Sequence, residues 1–95
     1  MTSGRQRQTP EAEAFNAALS AYLRGVIGSR QVQQKAIAAA LRQRPNWVSK
    51  RFSGEVPWGA AELTAVCKFL DLDIKAVTDE AARMAGGAGG TQRAS

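Results

Sequence analysis

The 95-residue chain contains no histidine and a single cysteine, Cys67. Without imidazole, the commonest general base and the commonest transition-metal ligand are both missing. One cysteine excludes an intrachain disulfide, and the chain reads as intracellular. There is no Gly-rich phosphate loop and no metal-spaced cluster of ligating residues. The carboxylates are scattered over capping and connector positions. A non-enzymatic protein with no catalytic residues, no metal and no cofactor is therefore expected. No apolar run approaches the length of a membrane span, so no membrane partner is expected. The opening "MTSGRQRQT" has no apolar core and does not read as a signal peptide. Neither strand-type alternation nor an internal repeat is present.

Acidic residues are missing from one particular stretch. Between Arg30 and Gly54 stand Arg30, Lys35, Arg42, Arg44, Lys50 and Arg51, with no Asp or Glu. Between Glu55 and Glu80, six carboxylates face only Lys68 and Lys75. The whole chain has 13 Lys+Arg against 8 Asp+Glu, a formal net charge of +5. That balance favours anionic partners, nucleic acid before membrane surface. An ordinary solvated face usually mixes signs, which the Arg30–Gly54 segment does not.

The 44% hydrophobic residues suffice for one core in one small domain. Residues 1–9 read as a flexible basic arm, 10–84 as the folded domain and 85–95 as a flexible Gly-rich tail. Thr9 is an N-cap candidate, Pro10 suits the first helical position, and Glu11 and Glu13 fall in or near the first turn. Phe15, Ala18, Leu19, Tyr22 and Val26 make an apolar stripe, with Gly28 as the expected stop. "VQQKAIAAAL" predicts a short second helix with Ile37, Ala40 and Leu41 toward the core. Pro45 starts a third helix, about 45–53, closed by a left-handed Gly54. Val48 and Phe52, four apart, are its expected buried pair. Trp58 and Leu63 have hydrophobic-staple spacing around an N-cap at Gly59, with Glu62 three positions into the helix. Leu63, Val66, Cys67 and Leu70 share one face of that fourth helix. Asp73 caps a fifth, which carries Ile74 and Val77 and fades near Met84.

Two short helices joined by a tight turn, the second of them basic, describe a helix-turn-helix. The major groove admits one α-helix. The bracing helix must approach closely, and Ala38 is small enough to allow it. Val48 and Phe52 would anchor the back of the second helix, leaving Arg44, Asn46, Ser49 and Lys50 at its front.

The segment "QQKAIAAALRQRPNWVSKRFSG" resembles the helix-turn-helix of the phage repressor and Cro-like family, often called Xre-type. Gln34, Ile37, Ala38, Leu41, Val48, Ser49 and Gly54 match the family pattern without a gap. "NWVSKRFSGEVP" is particularly similar to actinobacterial and actinophage members. The resemblance extends over about residues 15–77 and implies an all-α, compact five-helix bundle of the phage repressor DNA-binding type. It also implies a cytoplasmic, nucleoid-associated regulator that binds double-stranded operator DNA and represses or modulates transcription. In this sequence Arg42 replaces the glycine usual at the turn, so either Arg42 adopts a left-handed conformation, at a cost of roughly 1 kcal/mol, or the turn differs. Arg51 stands where the family often has an apolar residue.

Carried over residue by residue, the resemblance implies base contacts from Arg44, Asn46, Trp47, Ser49 and Lys50. It implies backbone contacts from Gln34, Lys35, Arg42, Arg51 and Ser53. Arg and Lys suit guanine, and Asn suits adenine. Each position has a plainer alternative. Arg44 and Lys50 read also as solvated charges, and Asn46 as a cap of its own helix. Trp47 either covers the core on the fourth-helix side or stacks at the interface. Trp58 reads as a structural staple and Cys67 as an inert core residue. Arg5 and Arg7 are either plain charges or an arm along the DNA.

Two rival roles remain at this level: an antitoxin-type autoregulator of a toxin–antitoxin operon, and a protein–protein adaptor using the same fold. RNA binding finds little support, because the aromatic platform usual for single strands is missing. A reader of palindromic sites usually forms a homodimer. The fifth helix, a larger parent protein or monomeric binding are the three alternatives here.

Overall fold

The computed structural model describes residues 9–89. They form a compact all-α globule of five helices, and no strand occurs among the described residues. The helices are α1 (Pro10–Arg30), α2 (Gln34–Leu41), α3 (Pro45–Phe52), α4 (Ala60–Phe69) and α5 (Ile74–Gly89). α1 lies against α5 and α3, α2 against α3 and α4, and α4 against α5.

Thr9 caps α1 as expected, its Oγ1 accepting the Ala12 N–H at 3.0 Å, and Pro10 opens the helix. The buried stripe is centred differently from the one expected. Leu19, Leu23 and Ile27 are its spine, with Phe15, Ala18, Tyr22 and Val26 along its margin. Gly28 does not stop the helix, which runs to Arg30. Closure is set instead by Val32, which packs on the core and sends its N–H back to the Ile27 carbonyl at 2.9 Å. Gln31 takes the left-handed conformation between them (φ 59°).

The same closure recurs twice. Arg42 ends α2 with φ 59°, and Gln43 N–H returns to the Ala38 carbonyl at 2.9 Å. Asp71 ends α4 with φ 57°, and Leu72 N–H returns to the Cys67 carbonyl at 2.8 Å. All three are Schellman closures built on residues other than glycine, each of which opposes the steric preference of an L side chain. Arg42 therefore adopts the left-handed backbone that its position requires. Glycine takes the positive-φ backbone after α3, where Gly54 has φ +89° and the N–H that returns to the Lys50 carbonyl is that of Val56, at 3.1 Å.

The core gathers Leu19, Leu23 and Ile27 with Ile37, Ala38, Val48, Phe52, Leu63, Val66, Cys67, Leu70, Val77 and Ala81. Val48 and Phe52 are completely buried, and Ala38 is 2% exposed. Ala40, expected inside, is exposed. Ile37, Ala38 and Leu41 define the inward arc of α2, and Ala40 lies roughly 110° from its centre at 100° per residue. Burial, with the nearby Asp73 charge, pushes the Cys67 thiol up from its ordinary value, so it stays neutral and packs as a small apolar residue. α5 continues past Met84 to Gly89. Among the described residues, no helix is long and apolar enough to cross a membrane.

Candidate nucleic-acid interface

α2 and α3 are joined by Arg42, Gln43 and Arg44 alone, and they pack on each other through their apolar sides. Helical spacing leaves Asn46, Lys50 and Ser53 on the side of α3 away from Val48 and Phe52, with Ser49 on its flank. Arg44, Asn46, Ser49 and Ser53 are exposed, and Lys50 is half-buried. On α2, Lys35 is exposed and Gln34, the first helical residue, is half-buried. Arg42 is exposed at the turn. Arg5 and Arg7 lie outside the described residues.

The N-termini of the helices divide into two kinds. α1 and α5 have a side-chain acceptor at the cap position, and α4, whose cap is Gly59, carries an acidic residue in its first turn. Thr9 serves α1, Glu62 Oε1 accepts the Gly59 N–H at 2.8 Å, and Asp73 Oδ2 accepts the Ala76 N–H at 3.0 Å. α2 and α3 have no side-chain cap and no acidic residue in their first turns. In α2 the Gln34 and Lys35 N–H groups, and in α3 the Asn46 N–H, are left to solvent or to an anion. The Ala36 and Trp47 N–H groups bond the cap carbonyls of Gln33 and Arg44, each at 3.0 Å, and Pro45 has no N–H. Asn46 is the second residue of α3, and Arg44 occupies the cap position, so Asn46 is not the cap of its own helix.

The cations of these helices are also largely uncompensated. Lys35, Arg42 and Arg44 have no ion-pair partner among the described residues, whereas Lys75–Asp79 and Arg83–Glu80 pair within α5. Lys50 Nζ sits 3.7 Å from Glu55, an exposed contact that contributes little. Ser49 Oγ reaches the Asn46 carbonyl at a long 3.4 Å, and Ser53 Oγ donates to the Lys50 carbonyl at 2.9 Å.

Arg51 is placed differently from its neighbours. Its side chain is only 14% exposed; Nε donates to Glu62 Oε1 at 3.0 Å, and Nη1 donates to the Trp47 carbonyl at 3.1 Å. The guanidinium carbon lies 4.1 Å from the centre of the Trp47 ring. Trp47 is half-buried against the core. Burial pushes the Glu62 carboxyl up, but the Gly59 N–H and the Arg51 guanidinium outweigh it and hold the group below the usual carboxylate range.

The C-terminal end of α3 is fastened by a polar row on α1 whose members are four apart. Ser20 Oγ donates to the Arg51 carbonyl at 2.7 Å and accepts the Trp58 indole N–H at 3.2 Å. Arg24 donates to the Phe52 carbonyl, and Asn16 Oδ1 accepts the Trp58 N–H at 3.3 Å. Trp58 also meets Phe52 edge to face, with centroids 5.2 Å apart at 84°. Sequence reasoning anticipated Trp58 but missed Ser20, which is 1% exposed. The available signal was a lone hydroxyl inside the apolar stripe of α1, next to Leu19 and four residues before Arg24.

Among the described residues, no group of three or more side chains is arranged to hold a metal ion. Comparison with known protein families, curated proteins and solved structures finds no match.

Proposed function

We propose that α2 and α3 act as a helix-turn-helix, with α3 entering the major groove of double-stranded DNA, and that the chain is a transcriptional regulator of the phage repressor or Cro-like type. The observation that carries this reading is a coincidence of two features on the same pair of helices. α2, α3 and their turn hold exposed, unpaired Lys35, Arg42 and Arg44, and both helices begin with neither a side-chain cap nor an acidic residue in the first turn. Cations and free N–H donors together suit phosphate.

In this reading Arg44 and Lys50 reach guanine edges, Asn46 reaches adenine, and Ser49 donates or accepts at a neighbouring base. Trp47 stands at the margin of that contact. Gln34, Lys35, Arg42 and Ser53 hold the sugar-phosphate backbone, which sets register without reading sequence. The clamped C-terminal end of α3 supports such use, because a recognition helix must not rotate when its outer side chains are loaded.

Selection of binding sites from random duplex DNA tests the proposal. A recovered consensus, with its symmetry reporting the stoichiometry, is the expected result. Equal affinity for every duplex would contradict it and favour the adaptor role.

A further inference from the structure

Arg51 belongs to the basic stretch, but its side chain is largely buried and its Nε and Nη1 both donate within the protein. Glu62 Oε1 accepts both the Gly59 N–H and Arg51 Nε, so one carboxylate oxygen joins the start of α4 to the last turn of α3. The planar guanidinium then lies over the Trp47 ring and bonds the Trp47 carbonyl. A fork that stacks and donates at once is a property of arginine, which lysine cannot reproduce. Trp47 follows Asn46 directly and precedes Lys50 by three residues, so a shift of its indole disturbs the front of α3.

We propose that Glu62 and Arg51 are positioning residues that hold the Trp47 indole at the edge of α3, and that Arg51 serves DNA recognition through Trp47 and not as a phosphate ligand. The DNA half of this inference rests on the function proposed above. The two roles for Arg51 make opposite demands on Glu62. If Arg51 were a phosphate ligand, Glu62 would compete with the phosphate, and removing its charge would strengthen binding to any duplex. If Arg51 positions Trp47, removing that charge loosens the indole and erodes discrimination.

The test uses the full chain and three variants, Glu62→Gln, Arg51→Gln and Arg51→Lys. The assigned indole N–H resonances of Trp47 and Trp58 are followed, and affinities for a selected and a random duplex are measured across salt concentrations. All three variants are expected to shift the Trp47 resonance while that of Trp58 stays in place, which also reports an intact fold. The ratio of selected to random affinity should fall roughly fivefold in each, the scale of a partly desolvated cation–π contact. Arg51→Lys should not restore it, and the salt slope of Arg51→Gln should match that of the native chain. A slope shallower by about 0.9 in Arg51→Gln, with tighter random-duplex binding by Glu62→Gln, would overturn the proposal and make Arg51 a phosphate ligand. An unmoved Trp47 resonance would overturn it whatever the DNA result. Failure of the native chain to bind any duplex would overturn the functional reading and the DNA half of this inference, leaving the resonances to decide the positioning of Trp47.

Discussion

The two ends of α3 are built in opposite ways. Its last three carbonyls are all occupied: Lys50 by Val56 N–H and the Ser53 hydroxyl, Arg51 by Ser20 and Gly54 N–H, and Phe52 by Arg24. Its start has Arg44 in the cap position with no side-chain bond, then Pro45 and an exposed Asn46. A helix tied at one end and open at the other has a fixed direction, and here the open end leaves the Asn46 N–H and the Arg44 and Asn46 side chains free. The tied end is a matter of folding, and the open end is available to a partner. Substitutions at the two ends should therefore separate into stability effects and binding effects.

The largest effect is expected at the tied end. Phe52→Ala empties the centre of the core and removes the edge-to-face partner of Trp58. The expected loss is roughly 3–5 kcal/mol, enough to unfold a marginal small domain. An unchanged denaturation midpoint would contradict the burial on which the orientation of α3 depends. Ser20→Ala should cost less, about 1–3 kcal/mol, because it strands the Trp58 indole N–H and removes one partner of the Arg51 carbonyl. Urea titration measures this, and a neutral result would mean that neither group depends on the hydroxyl.

At the open end, and at the outward Lys50 side chain one turn on, the fold should be insensitive and recognition should not. Arg44→Ala and Lys50→Ala are expected to weaken the selected site by about 1–3 kcal/mol and to relax preference at particular base pairs. Gln34→Ala should weaken all duplexes nearly alike. Competition binding with selected and random duplexes, alongside circular dichroism of each variant, separates the two. Uniform weakening by folded Arg44→Ala and Lys50→Ala would make them phosphate clamps.

A smaller effect is expected from pH. The folded-state pKa of Glu62 lies below the ordinary glutamate value of about 4.3. A lowered carboxyl contributes stability that is present above the unfolded value and is lost as pH falls through the folded one. The stability advantage of the native chain over Glu62→Gln should thus be constant near neutrality and shrink in acid. Chemical denaturation at several pH values checks the sign, and an advantage that grows in acid would contradict it.

The helices themselves were legible in the sequence because their signals are local. Thr9-Pro10, Pro45, Gly59 with Glu62, and Asp73 each marked a helix start that the structure contains. Val48, Phe52, Leu63, Val66, Cys67 and Leu70 were identified as buried from spacing alone. Helix ends were less legible. Gly28 looked like a stop, but closure depended on where Val32 could reach the core, which is a tertiary fact. Arg51 was legible only as charge. Its pairing with Glu62 and its stacking on Trp47 require α4 to be in place. The Asn16, Ser20 and Arg24 row was hidden for the same reason, since its partners are distant in sequence.

The most direct measurement is the affinity of the native chain for duplex DNA as a function of salt. If Lys35, Arg42 and their neighbours neutralise three or four phosphates, the logarithm of the binding constant should fall linearly against that of salt concentration with a slope of about −2.7 to −3.6. A binding constant that does not change between low and physiological salt would contradict the assignment of α2 and α3 as a DNA-binding unit.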